Sequence, residues 1–461
     1  MAAAPDGTPE VRHCEGWDPE RRAPYGALTE REARERDATG LPYAAVLSRG
    51  GQAAALFQVD WSEGYLGVFL FDHRARRHRI YEYRQLEPGR LHLRRFREWL
   101  YETDTEPEEP EDFEDGRFFE LTADLEGRSA LQLTGDGSFH TSGSVPPEHL
   151  VAAKAPFGRW TAYVDGPMLG LAAGAPAPVV VEEAGMPADG PGWAAPRALR
   201  PNWLEALFTP GSRFAVPDEP AVTVVEPEPM GTLRLPTGAL VVGDPGFLDE
   251  KAEPYTVTAP PGAYPLSLGL VQRDGERWSS GAAALLRISD RPAASWELAL
   301  LPGQDARLLG EDEFHGAGVD TATLAFADAA ARPALEELGA AALEHPWSFL
   351  IDEPRTYPDL ADPVSGANLI ACLTSGDGNY PVWIGRDADG AVTCFVADLL
   401  QLRGAEPLPP TEQSAAVVRS PFHGTADGRR EEPTAAPSAR ADFLARELAE
   451  LTALRDRVSR R

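Results

Sequence analysis

Short apolar runs, separated by turns containing glycine or aspartate, dominate the sequence and predict a β-rich protein. Six runs rich in β-branched and aromatic residues come first: YAAVLSR, AAALFQVDW, YLGVFLFD, HRIYEYRQL, RLHLRRFREWLY and RFFELTADL. Such runs are typical of strands, and SRGGQ, LEPGR and TGDGSF supply turn residues between them. We therefore predict a mainly antiparallel β domain over residues 41–170. Residues 1–40 are predicted as a charged, loop-like segment with one short helix in LTEREARERD.

A second group of runs predicts another β-rich domain over residues 228–403. It contains GTLRLPTGALVVGDPGFL, AYPLSLGLVQRD, RWSSGAAALLRIS, SWELALL, ANLIACLTS, YPVWIGRD and AVTCFVADLLQL. Among them, AFADAAARPALEELGAAALEH has the alanine, leucine and glutamate content of a helix. Pro333 is expected to mark the start of the main helical segment, because proline is favoured in the first turn.

Proline-rich stretches separate and follow the two domains. Residues 171–227 are predicted to be a proline- and alanine-rich connector with a helical island in RPNWLEALF, because proline fixes φ and removes amide donors. Residues 404–440 hold six prolines and are predicted to be a disordered linker. Residues 441–461 place leucines at helical spacing and predict an amphipathic C-terminal helix. The expected fold class is therefore α+β, mainly antiparallel β, with two β-rich domains, a connector and this helix.

The charge balance narrows the possible partners. Lys and Arg number 43 against 72 Asp and Glu, which gives a net charge of −29. Nucleic acid and anionic membrane surfaces are therefore not expected partners, whereas another protein is, and a basic protein would suit the charge. No basic segment followed by an apolar run opens the sequence, no apolar run is long enough to span a membrane, and only three cysteines occur. These features predict a cytoplasmic protein.

Familiar catalytic and cofactor motifs do not occur in the sequence. It lacks the phosphate-binding G-x-x-x-x-G-K-[ST] pattern, a dinucleotide-binding G-x-G-x-x-G, the zinc motif H-E-x-x-H and the nucleophile elbow G-x-S-x-G. We therefore expect no cofactor and no metal. One alternative rests on aspartates at predicted strand ends, with Asp244, Asp320 and Asp377 as catalytic candidates and Asp398 nearby. Paired carboxylates bind Mg²⁺ or serve as acid and base, but aspartates in these positions also cap turns.

The stretch SGDGNYPVWIGRDADG, residues 375–390, poses the same choice between a ligand loop and a turn. RDADG lies between two apolar runs and predicts a hairpin, since the helices and the twelfth-position glutamate of an EF-hand are missing. In SGDGNY, Asn379 and Tyr380 are candidate binding residues on a connection between strands. The alternative is that they only build the turn.

A basic surface is the other candidate for binding. Residues 74–97 hold nine arginines, and the segment ETDTEPEEPEDFED that follows has nine acids in fourteen positions. Arg94, Arg95 and Arg97, interleaved with aromatic residues, could grip an acidic partner or RNA. The simpler hypothesis is that the acidic loop folds over the basic hairpin and neutralises it. A third possibility is that a partner displaces this loop.

The motifs of the second domain resemble those of a bacterial family catalogued as domain of unknown function 4241. The resemblance covers residues 228–402 and is carried by LPTGALVVGDPGF, PPGAYPLSLGL, SWELAL, GVDTATLAFAD and SGDGNYPVWIGRDADGAVTCFVADLLQL, in that order. Two departures stand out: SGDGNY is shorter than the corresponding turn of the family, and VDTAT replaces its Ala-Gly-Thr pattern. If that turn forms a pocket in relatives, part of its wall is missing here. The resemblance implies a module but names no reaction.

Two functional hypotheses follow. The first is a non-enzymatic protein-interaction module, for example an immunity-like protein that neutralises a toxin, because the chain is acidic, β-rich and without a recognisable catalytic constellation. The second is a metal- or carboxylate-dependent hydrolase that uses the strand-end aspartates.

Overall fold

The protein is described by a computed structural model over residues 9–108, 117–134, 138–164, 178–182, 186–345 and 356–409. The described residues divide into two compact units, one formed by residues 9–197 with Arg307–Gly310 and one by Ala198–Ala306 with residues 311–409. Within the described ranges nearly all strand pairs are antiparallel and two α-helices occur. The predicted mainly antiparallel class is therefore confirmed. The predicted helix 441–461 and residues 410–440 of the predicted linker lie outside the described residues.

The first unit is built on a twelve-stranded sheet. Its strand order is β10-β9-β8-β7-β6-β5-β4-β3-β1-β12, with β2 beside β1 and β11 beside β7. The elements are β1 (Glu10–Asp18), β2 (Ala23–Leu28), α1 (Glu30–Thr39), β3 (Tyr43–Arg49), β4 (Gln52–Asp60), β5 (Tyr65–Phe71), β6 (Arg77–Glu87), β7 (Arg90–Trp99), β8 (Phe118–Ala123), β9 (Arg128–Thr134), β10 (Ser138–Ser144), β11 (Val151–Ala153) and β12 (Val179–Val180).

The centre of this sheet is apolar on both faces. Every residue of β5 is buried, and successive side chains of β3 to β5 enter two separate hydrophobic clusters. Helix α1 covers one face with Ala33, and a capping box between Thr29 and Glu32 fixes its first turn. The six strands predicted from YAAVLSR to RFFELTADL are present as β3 to β8.

The N-terminal residues differ from the loop-like segment predicted for residues 1–40. Residues 10–18 form β1, which pairs with β3 from Glu10↔Ser48 to Cys14↔Ala44, and residues 23–28 form β2. The predicted short helix is present as α1. In EVRHCEGWD, Val11 belongs to one hydrophobic cluster of the sheet, whereas Cys14 and Trp17 belong to the other.

The second unit contains a nine-stranded sheet and a four-stranded sheet. The nine-stranded order is β18-β23-β24-β17-β16-β14-β13-β25, with β19 beside β23, and the four-stranded order is β15-β20-β22-β21. The elements are β13 (Arg213–Ala215), β14 (Val222–Leu235), β15 (Leu240–Gly243), β16 (Gly262–Arg273), β17 (Ser280–Arg287), β18 (Ser295–Leu298), β19 (Gly316–Val319), β20 (Thr323–Asp328), α2 (Leu335–Leu343), β21 (Asp359–Ala361), β22 (Asn368–Leu373), β23 (Gly378–Arg386), β24 (Val392–Asp398) and β25 (Glu406–Leu408).

These sheets and α2 form three layers. Leu324 and Phe326 of β20 point into a core shared with the nine-stranded sheet, where they join Ile384 and Phe395. The alternate residues Ala325 and Ala327 point the other way, into the cluster that α2 covers. Because successive side chains of a strand point to opposite faces, β20 contributes residues to the hydrophobic clusters on both of its sides. No helix in the described part of the chain is long and apolar enough to cross a membrane.

The predicted helix AFADAAARPALEELGAAALEH is shorter than expected. Its first residues end β20 at Asp328, residues 329–334 form a 3-10 turn that contains Pro333, and α2 begins at Leu335. The Asp328 carboxylate accepts a hydrogen bond from the amide of Ala330 at 2.7 Å, so the chain leaves the strand at a capped turn. Alanine content alone does not separate a buried strand from a helix.

The predicted connector 171–227 also contains regular structure. Residues 213–215 form β13, and β14 begins at Val222, where it pairs with Arg273 of β16. The expected helical island RPNWLEALF has only a 3-10 turn at Ala206–Phe208. Leu207, Phe214 and Val222 are all buried in one cluster, which shows that packing organises this proline-containing stretch.

Candidate functional site

The turn that follows β15 is organised by the side chain of Asp244. Its Oδ1 accepts a hydrogen bond from the amide of Gly246 at 2.7 Å, and its backbone carbonyl accepts from the amides of Phe247 and Leu248 at 3.0 and 3.2 Å. Asp244 is only 2% exposed. Turns are commonly closed by an aspartate whose carboxylate accepts hydrogen bonds from the amides of the residues that follow it.

The same carboxylate also holds a second turn. Asp244 Oδ2 accepts the amides of Asp320 and Thr321 at 2.7 and 2.6 Å, and the Thr321 hydroxyl lies 2.9 Å from both carboxylate oxygens. Asp244 therefore fixes the connection between β19 and β20 through charge-assisted hydrogen bonds. This sequence-predicted catalytic candidate is buried and holds backbone groups.

Asp377 holds the next residue of that connection. Its Oδ1 accepts the amide of Ala322 at 3.1 Å, and the amide of Thr374 donates to the Ala322 carbonyl at 2.9 Å. Ala322 has a positive φ of 50°, a strained backbone conformation that these bonds stabilise. The structure thus links Asp244, Asp320 and Asp377 through residues 320–322. The side chains of Asp320 and Asp377 are exposed. We call the three turns 244–248, 320–322 and 374–379 the aspartate rim.

The binding candidates Asn379 and Tyr380 lie at the start of β23, beside β19. The Tyr380 ring is buried, and its hydroxyl donates to the Gly376 carbonyl at 2.8 Å. In the orientation that satisfies both of its polar ends, the Asn379 amide nitrogen donates to the Gly316 carbonyl at 3.0 Å. Tyr380 therefore closes the SGDGNY turn on itself, and Asn379 holds this turn against β19. The following RDADG stretch is the predicted hairpin, with the Asp387 carboxylate accepting the amides of Asp389 and Ala391.

Asp398 lies apart from this network. It ends β24, is 8% exposed, and accepts the amide of Leu400 at 2.8 Å. Burial raises the pKa of the Asp398 carboxyl to about 6, because removal from water disfavours the charged form. Within the described ranges, no three His, Cys, Asp or Glu side chains come together as metal ligands. The hydrolase hypothesis stays a prediction.

An exposed apolar spot borders the aspartate rim, and the sequence patterns did not point to it. Phe247 is 67% exposed and Leu343, the last residue of α2, is 37% exposed. A Cβ placed on Gly246 would lie 3.3 Å from Leu343 and 3.4 Å from Thr321, so the end of α2 packs directly on the rim. We call Phe247 and Leu343 the apolar patch. The one available signal was a phenylalanine directly after the Asp-Pro-Gly turn, where a polar residue is usual.

Acidic residues lie close to the apolar patch in the sequence and on the rim. Glu250 and Glu344 are exposed, Asp249 is half-buried, and Asp320 is exposed on the rim itself. Lys251 is the only cation among residues 244–251, 320–322 and 374–379. An exposed aromatic side chain near several negative charges is suited to a partner that presents an apolar pocket with a basic border.

The arginine candidates in the first unit have acidic partners. Arg94 and Glu82 form a buried pair, with side chains 2% and 9% exposed and 3.3 Å between Nη2 and Oε2. Arg95 and Arg97 both donate through Nε to Glu120 on the adjacent strand, each at 2.6 Å. Arg94 lies at a β-bulge, because Glu82 pairs with Arg95 and Tyr83 pairs with Leu93.

The acidic segment contacts only the beginning of the basic hairpin in the described residues. Arg77 Nε donates to Glu108 at 2.5 Å, and His73 lies 2.9 Å from Asp104. The Arg76 guanidinium donates to the carbonyls of Thr103 and Glu106 and stacks on a tyrosine ring. Residues 102–108 therefore fold over the turn before β6, as the intramolecular hypothesis expects. Glutamates on β6 and β8, which that hypothesis did not include, pair with Arg94, Arg95 and Arg97.

Comparisons with known proteins give one match. Searches of curated proteins and of solved structures found none. Residues 233–397 match the model of a family described as "Protein of unknown function (DUF4241)", which covers less than half of the 461 residues. The match contains the whole aspartate rim and the apolar patch, and it confirms the resemblance read from the sequence motifs. Residues 233–397 are therefore similar to the DUF4241 family.

Proposed function

We propose that this protein is a non-enzymatic interaction module whose second unit binds another protein through the apolar patch and the acidic residues near it. The observation that carries the proposal is the exposure of Phe247 on a turn that Asp244 holds rigidly. An aromatic side chain presented on a fixed backbone loses little entropy on binding, and aromatic residues are enriched among binding hot spots.

The roles of the aspartates support binding over catalysis. Asp244 uses both carboxylate oxygens on amides and a hydroxyl, and Asp377 supports the amide of Ala322. A general base must reach a substrate proton, and a buried carboxylate already bonded to three amides is poorly placed for that. The partner that fits is a basic protein, since a net charge of −29 attracts basic surfaces and accelerates their association. An immunity-like role against a basic toxin belongs to this class.

The proposed compartment is the cytoplasm. Cys14, Cys372 and Cys394 are all buried, and none of them forms a disulfide. Thiols in this state are typical of a reducing compartment.

Affinity capture from a lysate of the source organism tests the proposal. The full chain would be compared with Phe247→Ala and with Val364→Ala as the matched control. Val364 is also an exposed apolar side chain, but it precedes β22, whereas the rim turn 374–379 follows that strand, so the two lie at opposite ends of β22. We expect a stoichiometric protein that elutes as salt rises, is retained by Val364→Ala and is lost with Phe247→Ala.

A further inference from the structure

A cavity of about 490 Å³ lies at one end of β4 and β6 in the first unit. Its wall is formed by the turn between β4 and β5, by the last residues of β6 with the turn that follows, and by Arg307. A volume of this order is typical of sites for small molecules. The side chains of the wall that bear on its chemistry are Trp61, Glu63, Arg84, Glu87 and Arg307.

Arg84 is a buried cation in this wall, and no carboxylate is paired with it. It is 5% exposed, and its guanidinium donates to the backbone carbonyls of Glu63, Pro196 and Leu309. Within the described residues no Asp or Glu forms an ion pair with Arg84, and its buried Nε has no hydrogen-bond partner. A buried charge is costly unless an opposite charge lies next to it. Arg84 therefore lacks a counter-ion.

The groups behind Arg84 do not supply this counter-ion. Burial and the neighbouring Arg94 both lower the pKa of the Arg84 guanidinium. Glu82 is the closest candidate, but it is already the ion-pair partner of Arg94, at 3.3 Å. Two buried guanidinium groups thus share one buried carboxylate. An anion in the cavity would provide the second negative charge.

The acidic residues of the wall have arginine partners of their own. Glu63 pairs with Arg197 at 2.7 Å, and Glu87 pairs with Arg90 at 3.0 Å. Arg307 adds a second guanidinium to the wall and is exposed. The net charge of −29 repels anions at long range, so these local groups must provide the attraction.

Trp61 gives the same cavity a flat apolar surface. Its Nε1 donates to the Asp37 carboxylate at 2.6 Å, and the Lys154 Nζ lies 3.5 Å from the centre of its ring. These two contacts fix the orientation of the indole. A ring of a ligand can therefore pack against Trp61 without first ordering it.

We propose that this cavity binds a small organic anion that carries a flat ring, with its carboxylate or phosphate group at Arg84 and Arg307 and its ring against Trp61. Guanidinium groups bind both kinds of oxyanion through paired, charge-assisted hydrogen bonds. The proposal is independent of the apolar patch, which belongs to the second unit.

Saturation-transfer NMR titrations of the full chain test this inference with four probes. Benzoate and phenyl phosphate carry the ring and an oxyanion, benzyl alcohol carries the ring alone, and inorganic phosphate carries the oxyanion alone. We expect benzoate or phenyl phosphate to bind, benzyl alcohol to bind at least about tenfold more weakly, and inorganic phosphate to compete with the bound acid. Whichever of the two acids binds more tightly identifies the anionic group.

Charge variants of the wall locate the bound anion. Arg307→Gln should weaken binding about fivefold, whereas Glu63→Gln should strengthen it by about the same factor, because each changes one charge near the ligand. Arg31→Gln, which alters an exposed arginine of α1, is the matched control and should leave binding unchanged. Arg84→Gln should abolish binding, but it also removes bonds to three carbonyls. The exposed positions therefore carry the test, and circular dichroism establishes that each variant is folded.

Three results would each overturn the proposal. The first is that neither benzoate nor phenyl phosphate binds to the wild-type chain. The second is that benzyl alcohol binds as tightly as the acids, since the site would then not select an anion. The third is an affinity that is the same in Arg307→Gln, Glu63→Gln and wild type, because the anion would then lie elsewhere.

Discussion

Individual carboxylates in the second unit have distinct tasks that their surroundings define. Asp244 is buried and bonded to three amides and a hydroxyl, whereas Asp377 is exposed and accepts one amide. Asp398 is buried with one amide donor and a raised pKa. Aspartates at the ends of similar strands therefore contribute different amounts to the free energy of unfolding, and their contributions depend differently on pH.

Asp244→Asn tests the structural role of the first carboxylate. An asparagine offers one acceptor oxygen, and its NH₂ group would face the donating amides of Asp320 and Thr321. We expect a loss of about 3 kcal/mol in the free energy of unfolding, measured in urea. The matched control Asp377→Asn should lose less than about 1 kcal/mol, because its single bond is exposed. Similar losses for the two variants would show that Asp244 does not organise the rim.

Asp398 makes stability depend on pH in the direction opposite to most acidic groups. Its pKa is raised from 3.8 to about 6, so between these values the folded state binds the proton more tightly than the unfolded state. The free energy of unfolding should therefore fall as pH rises from about 4 to 6, by up to about 3 kcal/mol from this group.

The variant Asp398→Asn should remove this slope, because an amide does not titrate and its oxygen still accepts the Leu400 amide. Urea unfolding at pH 4.5 and 7 gives the comparison, and the variant should gain stability relative to wild type at the higher pH. An identical pH dependence in the variant and the wild type would show that folding does not raise the pKa of Asp398.

Pairing between neighbouring strands explains why the arginine-rich hairpin does not present a bare basic surface. Cross-strand neighbours supply Glu82 to Arg94 on β6 and β7, and Glu120 to Arg95 and Arg97 on β7 and β8. Such partners are set by sheet register, which the number of residues in the hairpins and the two register shifts between β6 and β7 determine.

The buried Glu82–Arg94 pair should behave as a coupled unit. Either Glu82→Leu or Arg94→Leu alone should lower the free energy of unfolding by about 3–5 kcal/mol, because the remaining charge is buried without its partner. The double variant should be less destabilised than the sum of the two, which a double-mutant cycle in urea measures. Simple additivity would contradict the proposed coupling.

Elements with a clear local pattern could be predicted from the sequence, and those that packing determines could not. The runs from YAAVLSR to RFFELTADL are strands as predicted, since alternation and turn residues agree there. The sequence does not predict β1, because four of its nine residues are charged and its buried positions do not alternate regularly. The strand in AFAD was read as helix because alanine-rich runs suit a close-packed strand as well.

The candidate site could be predicted in part for similar reasons. The aspartates were recognised because Asp and Gly mark turns, but which amides they bind depends on how distant turns meet in space. Phe247 was not recognised, because exposure of an apolar side chain depends on what packs over it. The alternation of apolar and polar residues along the chain does not show which side chains are covered in the folded protein.

The whole molecule carries an excess of negative charge, yet the basic stretch of its first unit is neutralised by neighbouring acidic residues. The basic stretch of the first unit has acidic partners, while Glu250 and Glu344 lie close in sequence to the apolar patch of the second unit and Asp320 lies on the aspartate rim. Long-range attraction of a basic partner and a rigid aromatic contact would thus act at the same place. Raising salt screens the first contribution but not the second.

The most direct test of this account is capture of a binding protein by the full chain, Phe247→Ala and Val364→Ala, each at low and raised salt. The account predicts one stoichiometric partner held by wild type and Val364→Ala, weakened by salt and lost with Phe247→Ala. Equal retention by Phe247→Ala and wild type would contradict it, as would the absence of any stoichiometric partner.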